Sequence, residues 1–591
     1  MAGPFPDSTR DGRSRILGSS WAVIVAALIV TLITWAQFLR REPMLIRTLG
    51  DTDDAMRLVL ARELLAGRGW YDQWVGRLQP PVGTWMHWSR LLDGALAASM
   101  GGFRQFLPPD QAELAVRTAW PLAWIMPAAA SSLVIARSLG GRLGLVAGAL
   151  LLAIDPWTFV QFQPGRIDHH NVQIALTLIA AAFAIGGWGR AWCAAAAGAA
   201  SALALAIGVE SLVFHALIGL GVALGFACEP RLARSARAYG LSLAGAAAAL
   251  LMIQTPPARW GLSVCDALGL NLTVGLVVAG LGLALVSGLG ASPRARLAAL
   301  AAVGALALGG YLALDPACVQ GPMAAVDPRL KPFWFDHIEE LKSWPALAAT
   351  DRPAAIRIAS LSLLSLAGAG VLLWRMRGDY DVRRLTMVAC AVMAIFATWQ
   401  ALRLEDYAFA FGLPVIAGAL ASLGQRRNLV LLASASLVLS PAGLGALASR
   451  LWPGPSPQVS PNERCYEVGA YRALAELPAG LVLADINLGP FILAHTPHSA
   501  LAAPYHRMSW GILAAHQALG SPPDRAEAEV RALKVRYIVE CGALIRVGPG
   551  SFEAALRRGP PPAWLRLLSP AGAALQIFEV APLERAPVKE P

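Results

Sequence analysis

Long apolar runs separated by short polar breaks dominate the chain. Runs near 19–39, 117–138, 142–160, 171–188, 191–209, 211–228, 239–255, 268–290, 297–314, 354–374, 385–402, 408–424 and 429–447 each approach the roughly 20 apolar residues a helix needs to cross hydrocarbon. The pattern predicts a mainly α, polytopic membrane bundle of about thirteen transmembrane helices. Beyond 447 the period changes. Strand-like stretches GLVLADI, SALAAP, RYIVEC, LRLLSP and LQIFEV alternate with helical ones near 465–477, 509–519 and 523–534, with a turn at NLGP. That alternation predicts a small α/β layer. Two domains follow, 1–447 in the membrane and 448–591 outside it, joined by the linker SPQVSPNE.

Basic residues orient the bundle. Arg10, Arg13 and Arg15 precede the first run. Alternate breaks then carry Arg137/Arg142, Arg190, Arg231/Arg234/Arg237, Arg294/Arg296, Arg375/Arg377/Arg383/Arg384 and Arg426/Arg427. Cytoplasmic loops hold such an excess, so the N-terminus is expected in the cytoplasm and the C-terminal domain in the periplasm of a bacterial inner membrane. The first run is long and lacks a small-residue cleavage site, which favours a retained span over a signal peptide. The chain is 56% hydrophobic over 591 residues, with a net charge of +11. A basic balance in short loops between spans is topological and does not indicate nucleic acid.

The opposite face carries the chemistry. Its segments are the long loop 40–116, QFQPGRIDHH at 161–170, TPPARWGLSVCDA at 255–267, the loop 315–353 and RLEDY at 403–407. Two short amphipathic helices fit the first loop, near 54–66 and 88–99, with Trp70, Trp74, Trp85 and Trp88 suited to the membrane interface. Almost every Asp, Glu and His of the membrane half lies in these breaks, which predicts an outward-facing site. The loop opens with DTDDAMRLVL. One or two of Asp51, Asp53 and Asp54 suffice to cap the following helix, so the third needs another purpose.

These features resemble the STT3-type oligosaccharyltransferases of the GT-C membrane glycosyltransferase superfamily. That family has an acidic motif after span one and an Asp-led helix ending in Arg, here Asp53 through Arg62. A run like YDQWVGRLQPPVGTWMHWSRLLD follows. Its second acidic motif, between spans three and four, resembles D-x-H in archaeal members, and Asp168-His169-His170 stands in that place. The resemblance implies thirteen spans, an inside N-terminus and an outside C-terminal domain. It also implies a functional Glu in the loop 315–353, here Glu339 or Glu340. The family's WWDYG acceptor motif is absent; DINLGP (485–490) and APYHR (503–507) occupy comparable positions.

The implied reaction moves a sugar or oligosaccharide from a polyprenyl-(pyro)phosphate donor to a protein, lipid or polysaccharide acceptor. Charge builds on the leaving phosphate, and a divalent metal neutralises it. Asp53, Asp168 and His170 are the candidate ligands, and hard oxygens with an imidazole suit Mg²⁺ or Mn²⁺ and admit Zn²⁺. Asp51, Asp54 and His169 are secondary candidates. Arg403 is expected to bind the donor phosphate, against a simple pair with Glu405 or Asp406. Glu210, beside apolar residues, is a further candidate, although snorkelling to water is the stronger expectation. Asp168 as a helix cap and Tyr505-His506-Arg507 as a structural corner are the plainer alternatives to catalytic roles.

Two other functions remain open. One is single-sugar transfer of the mannosyl- or aminoarabinosyl-transferase kind, which has an acidic first loop but needs no D-x-H. The other is a lipid-linked glycan transporter or flippase, which would place ionisable groups at the midplane within repeats. Seven cysteines include no CxxC. Cys465 and Cys541, both expected outside, are predicted to pair, while Cys193, Cys228 and Cys390 are expected as buried thiols.

Overall fold

The computed structural model describes residues 12–40, 48–155, 157–290, 292–324, 326–378, 380–423, 440–451, 461–541, 547–570 and 572–582. The membrane half is built from α1 (Gly12–Leu39), then α2 (Thr52–Leu65) and α3 (Arg90–Phe103) in the first loop. After these come α4 (Pro109–Ile154), α5 (His170–Gly186), α6 (Ala191–Ile207), α7 (Leu212–Cys228) and α8 (Ala233–Gln254). It continues with α9 (Leu270–Val286), α10 (Pro293–Leu314), α11 (Arg352–Arg375), α12 (Val382–Gln400) and α13 (Glu405–Leu423). Gly141, at φ 63° and ψ −146°, breaks α4. The two arms fold back on each other, so tightly that a Cβ on Gly144 would lie 2.3 Å from the Ala136 carbonyl oxygen. Each of the first twelve expected apolar runs therefore falls on a helix or an arm of α4. Seven of these helices, α4 counted once, are long and apolar enough to cross a membrane. The run expected at 429–447 lies largely outside the described residues.

The C-terminal layer holds a five-stranded sheet. In chain order its parts are β1 (Leu481–Ala484), α14 (Gly489–His495), β2 (Ser499–Ala500), α15 (Ser509–Gly520) and α16 (Pro523–Ala532). They are followed by β3 (Tyr537–Cys541), α17 (Phe552–Arg558), β4 (Leu565–Leu567) and β5 (Leu575–Val580). The spatial order is β2-β1-β3-β5-β4, parallel across β2, β1 and β3 and antiparallel beyond. Asp485 and Gly489-Pro490 overturn the expected turn at NLGP. Asp485 accepts from the Asn487 N–H, and Pro490 sits in the first turn of α14, where a missing N–H does no harm. The expected helix over 465–477 is instead two 3₁₀ turns and one short helical turn. Cys465 and Cys541 form a disulfide with Cα atoms 6.0 Å apart, and a second joins Cys265 to Cys318 at 5.1 Å. Cys193 and Cys390 are buried; Cys228 is exposed at the last residue of α7, contrary to expectation.

The first loop and the C-terminal layer share one hydrophobic core. Leu58, Val59 and Leu92 belong to the same cluster as Leu483, Ile492 and Ile512. Polar bonds follow the same seam. Arg62 Nη1 donates to the Ala494 carbonyl at 2.6 Å, Arg77 Nη2 to the Thr496 carbonyl at 2.6 Å, and Tyr505 Oη to the Thr52 carbonyl at 3.0 Å. A further clamp reaches the loop after α8. Arg507 grips Asp266 with Nε at 2.8 Å and Nη2 at 2.6 Å, and His506 Nε2 meets the same carboxylate at 2.7 Å. Tyr505, His506 and Arg507 thus dock the layer.

Burial alone would push the Asp266 carboxyl up, but the bonds from His506 and Arg507 hold it far below the usual carboxylate range. A depressed carboxyl stabilises the fold above its unfolded pKa and is lost only when pH falls through its folded value. Asp266→Asn is therefore expected to cost about 3 kcal/mol, and the gap from wild type should stay constant from about pH 7 down to about pH 4. Thermal unfolding of the full-length protein in detergent across that range checks both points.

Candidate active site

The three aspartates of DTDD divide the work. Asp51 caps α2, its Oδ1 accepting from the N–H groups of Asp53 at 2.9 Å and Asp54 at 3.0 Å. Asp54 completes a capping box by accepting from the Asp51 N–H at 3.2 Å. Gly50, at φ +81°, is required there, because a Cβ would meet Asp54 Oδ2 at 2.4 Å. Asp54 is fully buried. Its Oδ1 also accepts from the N–H groups of Ile167 at 2.6 Å and Asp168 at 2.9 Å. It thereby fixes the 161–170 loop on the start of α2. Asp51 and Asp54 together form the cap, in keeping with the one or two capping aspartates expected, and both are structural anchors. Asp53, with no hydrogen-bond or ion-pair partner among the described residues, is the third carboxylate.

Arg166 holds the arrangement together. Its Nη1 contacts Asp51 Oδ2 and lies 2.9 Å from Asp54 Oδ2, and its Nη2 donates to Asp168 Oδ2 at 2.9 Å. Asp51, Asp54 and Asp168 offer oxygens within 4.8 Å of one another, and the guanidinium neutralises them. Converging carboxylates need a cation among them; here an arginine supplies it. Burial pushes the Asp168 carboxyl up, but Arg166 and His170 hold it well below the usual range. Asp168 Oδ2 meets His170 Nδ1 at 2.7 Å and Oδ1 accepts from the His170 N–H at 3.2 Å. Asp168 therefore both leads into α5 and orients its imidazole, so the helix-cap alternative and the site role coexist.

A second chain of contacts begins at the stacked rings of His169 and His170, whose centroids are 4.3 Å apart. His169 Nε2 lies 3.2 Å from Glu210 Oε1. Arg403 Nη2 donates to the same oxygen at 2.8 Å, and Gln173 Nε2 to Glu210 Oε2 at 3.1 Å. Glu210 is thus a bonded member of the site, correcting the expectation that it snorkels to water. Arg403 pairs with Glu210; Glu405 turns to Arg357 and Asp406 accepts from Gln161. Within the 315–353 loop, Glu339 is exposed and bonded to Lys342. Glu340 exerts its charge on Asp53, His170 and Arg403.

Asp168 bonds to His170 and Arg403 bonds to Glu210, while Asp53 and the exposed Glu340 make no bond to either pair and act on them through charge alone. Burial first, then Asp51, Glu340 and Asp168, push the Asp53 carboxyl up to about 7 against the pull of Arg403. A carboxyl without a partner in so negative a field suits a hard divalent cation, and an imidazole beside it agrees with that donor set. The expected ligands Asp53, Asp168 and His170 do not form a convergent donor group among the described residues; Asp168 converges instead with Asp51 and Asp54, around Arg166. A cavity of about 40 Å³ adjoins Arg403, lined also by His87, His169, Glu210 and Asp266. Sequence reasoning passed over Arg166, His87 and Asp266; the first was visible as a basic residue two positions before Asp168 in GRIDHH.

No known family profile and no curated relative matches this sequence. The backbone, however, has the fold of a solved oligosaccharyltransferase. It is similar to the archaeal oligosaccharyltransferase AglB of Archaeoglobus fulgidus in its apo form, with a TM-score of 0.66 at 14% identity, covering 88% of this chain and 69% of that one. The complex of that enzyme with an inhibitory peptide and a dolichol-phosphate aligns over the same shares, with a TM-score of 0.64 at 15% identity. Its complex with Zn and sulfate aligns with a TM-score of 0.60 at 14% identity, over 87% of this chain and 67% of that one.

Removing Arg166 leaves three buried or half-buried carboxylates without their counter-charge. Arg166→Ala is expected to cost about 3–5 kcal/mol. Millimolar Mn²⁺ should restore more of the thermal-unfolding midpoint in this variant than it adds to wild type, because the vacated centre then accepts the ion.

Proposed function

We propose that this chain is a membrane glycosyltransferase that moves a sugar or oligosaccharide from a polyprenyl phosphate or pyrophosphate to an acceptor on the periplasmic face. What supports the reading is the unpartnered Asp53 carboxyl, pushed up to about 7 beside the cluster that Arg166 holds, on this fold. The archaeal enzyme is described with a dolichol-phosphate and with Zn and sulfate, which supports a lipid-phosphate donor and a divalent ion here. The reading carries thirteen spans in a bacterial inner membrane, with the N-terminus cytoplasmic and residues 448–591 forming the periplasmic domain.

In the reaction the bond between the anomeric carbon and the donor phosphate oxygen breaks as an acceptor nitrogen or oxygen attacks. Arg403, held by Glu210, binds the phosphate with the free part of its guanidinium fork. His169 steadies Glu210 from the other side. Asp53, Asp168 and His170 would hold a divalent ion, which would neutralise the charge on the leaving phosphate. Asp53 also orients the N–H or O–H of the acceptor, and Glu340 faces the same place from the loop above. Arg166 keeps Asp168 in position and takes no part in the chemistry.

Purified full-length protein given a polyprenyl-linked sugar should transfer it only in the presence of a divalent ion. Asp53→Asn should lower the rate by about 100-fold or more without lowering the unfolding midpoint, because the Asp53 carboxylate has no bond in the fold to lose and a neutral amide is relieved of its acidic neighbours. Asp168→Ala should lose both activity and stability, since Arg166 and His170 lean on it. Transfer by Asp53→Asn at the wild-type rate would refute the site.

Orientation has its own test. Alkaline phosphatase fused after residue 455 should be active and fused after Arg377 inactive; the reverse pattern would put the site on the wrong face.

A further inference from the structure

Beside the donor cavity lies a second one, of about 50 Å³, between the first loop and the segment after α8. His87 and Ala267 line both, so the two spaces adjoin at these residues. Its remaining lining divides by chemistry. Arg259 and Arg507 supply guanidinium groups, and Leu251, Leu262 and Leu268 supply an apolar side. No carboxylate lines it. Asp266 neutralises Arg507 from outside. Arg259 has no ion-pair or side-chain hydrogen-bond partner among the described residues. Its guanidinium lies 4.4 Å from the centre of the Trp85 ring. His87 Nδ1 is buried and also lacks a partner.

The cavity sits at the end of α8, a helix of membrane-spanning length and composition. Met252, Ile253 and Leu262 flank it with exposed apolar surface. One uncompensated arginine on an aromatic face, above an apolar wall at the hydrocarbon boundary, matches an anionic headgroup with an attached chain.

We propose that this second cavity binds the anionic headgroup of an outer-leaflet lipid, and that this lipid is the acceptor of the transferred sugar. The acceptor role rests on the reading of the Arg403 cavity as the donor site. The shared lining at His87 then places the acceptor headgroup next to the anomeric carbon. The bond formed joins a headgroup oxygen to that carbon. The bond broken is the one to the donor phosphate, which leaves with its electron pair, and the proton of the acceptor passes to solvent.

The test compares full-length protein loaded in detergent with phosphatidylglycerol or with undecaprenyl phosphate, retained lipid being read by native mass spectrometry. Arg259→Ala should weaken phosphatidylglycerol retention about five-fold, the usual weight of one arginine against an anionic lipid, and leave undecaprenyl phosphate unchanged. Arg259→Lys should recover most of the loss, and an unchanged unfolding midpoint should accompany both variants. Arg403→Ala should show the opposite selectivity. Phosphatidylglycerol retention indifferent to Arg259→Ala, or a loss confined to undecaprenyl phosphate, would overturn the proposal while leaving the Arg403 cavity intact. Undecaprenyl phosphate retention indifferent to Arg403→Ala would overturn the donor reading, and with it the acceptor role.

Discussion

The bridge from Arg166 to Asp51, Asp54 and Asp168 is the interaction on which the outer face depends. It ties two loops about 115 residues apart in the chain, and it does so with charges that would otherwise drive them apart. In a site shielded from water a carboxylate cluster is unstable unless a cation stays within it. An arginine covalently fixed in the loop is a permanent cation. Its presence leaves Asp53, next to Asp54 and two residues from Asp51, as the carboxylate that no bond in the described residues satisfies.

That division separates holding from acting within a four-residue motif. Asp51 and Asp54 make bonds that a folded chain needs at all times. Asp53 makes none, so its surroundings press on it without fixing it. The same separation recurs on the second arm. Glu210 takes bonds from His169, Arg403 and Gln173 and so orients an arginine that retains donors for a ligand. A functional side chain is most useful when its neighbours are saturated and it is not.

Much of this was legible in the chain. Apolar runs of membrane length gave the helices because hydrocarbon leaves the backbone few alternatives. DTDD and DHH, expected on one face, do come together, with Asp51, Asp54 and Asp168 on Arg166. The partner of each charged residue was not legible. Glu210 reads as a carboxylate near the end of a span, and only the packing of α5 against α6 and α13 brings His169 and Arg403 to it. The pairing of Asp266 with Arg507 spans about 240 residues and follows no local period. The NLGP stretch looked like a turn because Gly and Pro punctuate turns, yet proline at a helix start is equally at home. Arg166 stood in plain view, but an arginine reads as topology or ligand binding before it reads as a counter-ion.

The common core of the first loop and the C-terminal layer also sets an order of assembly. Arg62 and Ala494 are 432 residues apart, so the loop leaves the ribosome long before the sheet that covers it exists. During that interval Leu58, Val59 and Leu92 lack their final neighbours while the spans between are inserted one after another. The two halves can close on each other only when nearly the whole chain has been made. A chain cut short before β3 would carry every residue of the acidic cluster and still present an open apolar face. Synthesis of the C-terminal layer is thus the step that covers the apolar face of the first loop.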